Sequence, residues 1–127
     1  MVCFKGIEMR TYRVLELEVL RWAEDRKIIP NSTSYAQTVK LDEEADETLD
    51  AAKRLKLYRE AGMRKDDPLY VKAVADFKDG VADCVICLIN ACALEDVDLV
   101  ECLAGGYEEI KNRKGTLGKD GIFVKQV

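Results

Sequence analysis

Between Leu41 and Asp50 the chain reads LDEEADETLD, six carboxylates in ten residues. Like charges four apart on a helix repel by a few tenths of a kcal/mol per pair. A solvated face absorbs that cost, and a bound cation turns it into a gain. A second acidic group sits in a different setting. From Val81 to Leu94 the sequence is VADCVICLINACAL, with Asp83 and Asn90 its only polar residues. A helix apolar all round is buried, so both side chains are expected inside. An ionised carboxylate there requires a cation, a hydrogen-bond network or a raised pKa.

The chain contains no histidine. That removes Ser-His and Cys-His catalysis, a histidine base and the usual zinc sites. Carboxylates, lysines, tyrosines or a hard metal held by oxygen remain. Five cysteines, Cys3, Cys84, Cys87, Cys92 and Cys102, are an odd number, three of them in the apolar segment. They read as reduced, buried small hydrophobes. Cys84-x-x-Cys87 has no second CxxC and is a weak redox or zinc signal. With 127 residues, 48% hydrophobic and 35% charged, a single soluble domain, 1–127, is expected. The net charge of −4 disfavours a grip on nucleic-acid phosphates. No apolar run is long enough to span a membrane. MVCFKGIEMR meets charge too early for a signal-peptide core, so a cytoplasmic location is expected.

Four helices must position these groups. The first, amphipathic, covers about Ile7 to Lys27 and ends before the breaker Ile28-Ile29-Pro30-Asn31. Ser34 and Gln37 form a capping box for the second, which runs to about Ala61 and stops at Gly62. Asp67-Pro68 caps the third, which runs to about Leu94. The fourth covers about Asp98 to Lys114. The tail GTLGKDGIFVKQV reads as an arm or small hairpin. Short connections predict an all-α, antiparallel four-helix bundle with a short C-terminal arm.

At about 100° per residue, Asp76, Asp79 and Cys87 fall within roughly 40° of Asp83, and Asn90 shares that face. On the second helix, Leu41, Ala45, Leu49, Ala52 and Leu55 make the apolar stripe. Glu44 lies beside one edge, Glu47 a step further out and Glu43 beyond them, while Asp42 and Asp46 flank the other edge. Which flank meets the third helix is open, and Lys40–Glu44 and Lys53–Asp50 are also plausible surface pairs. Carboxylates converging from two bundle helices suit Mg²⁺ or Mn²⁺, and Mg²⁺ so held works together with substrate phosphates.

Lys40-Leu41-Asp42-Glu43-Glu44-Ala45-Asp46-Glu47 resembles the KLxEExxE signature of the MazG-like nucleoside triphosphate pyrophosphohydrolases, an all-α superfamily. The resemblance extends through Trp22, Gln37, Lys78-Asp79-Gly80-Val81-Ala82-Asp83, Glu101-Cys102-Leu103, Tyr107, Ile110 to Gly115 and Gly121 to Lys125. The family pattern continues with ExxD. Here Asp83 matches its second acid, Gly80 stands where the first is expected, and Asp79 lies one residue earlier.

The resemblance implies hydrolysis of (deoxy)nucleoside triphosphates to monophosphate and pyrophosphate by homodimers or homotetramers. It implies Glu44, Glu47, Asp79 and Asp83 as Mg²⁺ ligands and Glu43 as the group acting on the attacking water. Lys40, Lys111, Arg113, Lys114 and Lys125 become candidates for phosphate, Asn90 for sugar or base, and Trp22 for stacking, although a core aromatic is its commoner fate. Three other readings stay open. A helical interaction module would carry merely solvated acids. A degenerate nucleotide binder would lack turnover. A di-iron protein is disfavoured because it needs Glu-x-x-His pairs.

Overall fold

The computed structural model describes residues 9–126. The chain divides after Asp96 into two compact units, and the described residues form five helices and one two-stranded sheet. The first unit holds α1 (Tyr12–Asp25), α2 (Ile28–Asn31), α3 (Ser34–Glu60) and α4 (Pro68–Leu94). The second holds α5 (Leu99–Ile110), β1 (Gly115–Leu117) and β2 (Phe123–Lys125). No described helix is long and apolar enough to cross a membrane.

Local chemistry sets the ends of the long helices. The Thr11 hydroxyl accepts from Val14 N and opens α1 there, later than expected. Ile7 and Glu8 of the expected first helix lie outside the described residues. Lys27, at φ 62°, ends α1, and the predicted breaker forms a four-residue helix with non-helical Ile29 inside it. The cap of α3 is Thr33, not Ser34. Its extended backbone lets the hydroxyl accept from Ala36 N, while Gln37 Nε2 donates to Ser32 Oγ at 3.1 Å. Gly62, at φ 73°, ends α3 in a Schellman motif, with Met63 N bonded to Tyr58 O and Gly62 N to Arg59 O. Asp67 caps α4 with Pro68 at its first position, as expected.

Antiparallel packing of α3 on α4 dominates the first unit. Leu55 meets Tyr70 and Ala73 at one end, Arg54 reaches Asp76, and Thr48 lies against Gly80 and Cys84 further along. The α3 face that packs is Glu44, Thr48, Ala51, Leu55 and Tyr58. This corrects the predicted stripe, because Ala45 and Leu49 are exposed. Tyr58, Met63 and Val74 close over the Leu55–Tyr70–Ala73 core. Burying a leucine such as Leu55 contributes about 1.5–3 kcal/mol. α1 packs on α2 and α4. Cys87 is buried, Cys84 and Cys92 are half-buried, and Cys102 is exposed, all as free thiols. Cys3 lies outside the described residues.

In the second unit Asp98 caps α5, accepting from Val100 N and Glu101 N. The helix ends at Ile110, short of the expected Lys114. The tail forms an antiparallel hairpin, pairing Thr116 with Val124.

Candidate functional site

The acids of α3 and α4 meet along one seam. Glu44 stands in the middle of the packed face of α3 rather than at its edge, and only 7% of its surface is exposed. The spacing Glu44, Thr48, Ala51, Leu55 puts it there, since each step of three or four residues returns to the same side. Its Oε1 receives Lys40 Nζ at 3.2 Å, while Oε2 is buried with no hydrogen-bond partner. Asn90, 2% exposed, likewise has a buried Oδ1 without a partner. Both side chains line a cavity of about 350 Å³ with Trp22, Ile28, Gln37, Lys40, Asp83 and Cys87.

Asp83 is exposed, contrary to the expectation from its apolar neighbours. The contact line of α4 runs through Gly80, Cys84 and Cys87, and Asp83 lies one residue off it. Val81, Val85 and Leu88 are also uncovered, so the segment is not buried all round within one chain. Local desolvation, the adjacent Glu44 carboxylate and the charge of Asp79 push the Asp83 carboxyl above its ordinary pKa. Desolvation first, then Glu44, similarly pushes the Cys87 thiol up.

Asp83 also borders a second cleft, of about 540 Å³, whose lining includes Glu47, Asp50, Asp76 and Asp79. Glu47 and Asp79 are exposed there. Arg54 joins these acids from α3. Its Nη2 donates to Asp76 at 2.9 Å and its Nε to Asp50 at 3.2 Å. Asp50 is thus paired with Arg54 rather than Lys53. Arg54, followed by Lys72, holds the Asp76 carboxyl below the usual range.

The remaining sequence candidates divide between the units. Glu43 is exposed and shares the Lys40 ammonium with Glu44, each at 3.2 Å. Trp22 is 43% exposed rather than a core aromatic, and the Arg26 guanidinium lies 4.5 Å from its ring centre. Lys111, Arg113, Lys114 and Lys125 are exposed residues of the second unit, with Lys111 paired to Glu108.

Sequence reasoning missed Thr48 and Arg54 and gave Gln37 no role at the cavity. The three-four spacing from Glu44 to Leu55 carries the signal for Thr48. Among the described residues no three acids or thiols close on one point as a finished metal site. What closes among the described residues is the Glu44–Asp83 pair, two carboxyls within reach of sharing a proton, with Glu44 Oε2 meeting no other donor. That pair fits a hard divalent cation, which would satisfy both carboxylates. The sequence matches no family model, no curated protein and no solved structure.

Proposed function

We propose that this chain is a Mg²⁺-dependent, MazG-like nucleoside triphosphate pyrophosphohydrolase, with Mn²⁺ as an alternative ion. The observation that carries the reading is the buried, partnerless Glu44 Oε2 beside Asp83, at the mouth of a cavity that also presents Asn90 Oδ1. An oxygen so placed costs free energy unless a cation or donor completes it.

Glu44, Glu47, Asp79 and Asp83 would hold the metal. When bound, the ion neutralises phosphate charge and acidifies a water. The chain's own groups do the rest. Glu43, exposed and paired with Lys40 among the described residues, accepts a proton from the attacking water. Lys40 turns from the two glutamates towards phosphate. Asn90 and Gln37 offer amides to a base or sugar, with Trp22 at the rim for stacking. The antiparallel α3–α4 pair supports the finer fold assignment, a MazG-like antiparallel four-helix bundle. Uncovered apolar side chains on α1 (Val14, Leu15, Leu17) and α4 (Val81, Val85, Leu88) support assembly into a homodimer or homotetramer.

A panel of ribo- and deoxynucleoside triphosphates with Mg²⁺, followed by phosphorus NMR, tests the reading. Monophosphate plus pyrophosphate, abolished by a chelator and by Glu44→Ala or Glu47→Ala in chains of native helicity, is expected. No turnover and no stabilisation by metal would leave a helical interaction module. Stabilisation by metal and nucleotide without cleavage would mark a binder.

A further inference from the structure

The second unit holds two elements that neither pack on each other nor stand well alone. Among the described residues α5 packs against neither strand of the hairpin. A helix of 12 residues is marginal in water by itself, and Gly105-Gly106 in its middle weakens it further. A two-stranded hairpin with three-residue strands is no more stable alone. Both elements leave large apolar side chains uncovered. On α5, Leu103, Tyr107 and Ile110 lie three or four apart and share one side, with Leu103 73% exposed. On the hairpin, Leu117 pairs with Phe123, so the two share a face, with Leu117 72% exposed.

Their charges are opposite. From its cap to its end α5 carries Asp98, Glu101, Glu108 and Glu109 and no base. Residues 111–126 carry Lys111, Arg113, Lys114, Lys119 and Lys125 against the single acid Asp120. An apolar, acidic helix and an apolar, basic hairpin are complementary surfaces. Within one chain they are held apart. The link between them, residues 111–114, is hydrogen-bonded to both, Arg113 N to Ile110 O at 2.9 Å and Gln126 N to Lys114 O at 2.8 Å. That leaves no slack for the hairpin to fold back along α5. The partner that fits each element is the opposite element of a second copy. A two-fold axis makes the contact reciprocal, so both hairpins and both helices are covered at once.

We propose that two copies of this chain associate through their second units, the hairpin of each lying on the apolar side of the other's α5. This rests on the homo-oligomer reading above and deepens it by naming the surface and its charge order.

Light scattering on the full chain tests this with two charge-reversed variants, E101K/E108K/E109K and K114E/K119E/K125E, whose fold circular dichroism reports. Each variant alone sets like charge against like, so a mass half that of the wild type is expected from each. Mixed in equal amounts, each chain meets its complement, and the wild-type mass should return. Variants that keep the wild-type mass, or a mixture that stays at half, would overturn the inference and leave assembly through other faces standing. A monomeric wild type would overturn both. Should the variants misfold, a mixture of light and isotope-labelled wild type, cross-linked at zero length between lysines and carboxylates, decides alone. Links from Lys114, Lys119 or Lys125 to the α5 acids that join one light and one heavy peptide are expected, and their absence would overturn the proposal.

Discussion

The two ends of the α3–α4 seam are built on the same helix pair and do opposite things. At one end Leu55, Tyr70 and Ala73 pack with Tyr58, Met63 and Val74, and the Tyr70 hydroxyl accepts from Arg59 Nε at 3.0 Å. Apolar surface is covered there, and a polar group that enters has a partner. At the other end Glu44 and Asn90 occupy equivalent packed positions and each leaves an acceptor unmatched. Arrangements that cost stability and persist mark functional sites more often than structural ones. The seam is therefore a packed anchor at the Leu55 end and keeps unmet acceptors at the Glu44 end.

Substitutions can break that contrast. Leu55→Ala is expected to lower stability by about 2–5 kcal/mol, the usual cost of a cavity at a buried leucine. Its thermal response to Mg²⁺ should be unchanged, and loss of that response in chemical-denaturation and melting experiments would couple the two ends. Gly80→Ala should cost about 1–3 kcal/mol by overpacking, with much of it recovered in the double variant T48G/G80A. An alanine chain as stable as wild type would mean that the helices separate freely. Glu44→Gln should act in the opposite direction in metal-free protein, gaining roughly 1 kcal/mol as an amide donor meets Asp83. The same variant should lose the rise in Tm on adding Mg²⁺, and destabilisation without metal would assign Glu44 to the anchor.

Arg54→Met should have the smallest effect, present at neutral pH and vanishing in acid. The folded state holds the Asp76 carboxyl below its unfolded value, so its contribution is present above about pH 4 and is lost as pH falls through the depressed folded value. The variant should be slightly less stable than wild type at neutral pH, lose that part of the slope of its acid-denaturation profile, and converge on wild type below the depressed folded value.

These regions were not equally legible in the sequence. Asp67-Pro68 and Gly62 act through their own backbone geometry, so the ends of the long helices could be read locally. The packed face of α3 could not. Hydrophobicity favours Leu41, Ala45 and Leu49, but the close approach to Gly80 selects a small residue, Thr48. A helix wheel ranks leucine above threonine, while a tight helix crossing reverses that order. Glu44 was placed at the margin for the same reason, and its nomination depended on the spacing of acids. The exposure of Asp83 depends on which sides of α4 find partners, information that resides outside its own segment.

Trp22 is the chain's single tryptophan. It borders the polar cavity beside Glu44 and Asn90 and also an apolar groove with Leu15, Val19 and Ile86. With a guanidinium over its ring, the indole senses both local charge and water. Its emission is thus a built-in optical reporter, free of signal from a second tryptophan, which either filling of the cavity or covering of the groove would shift.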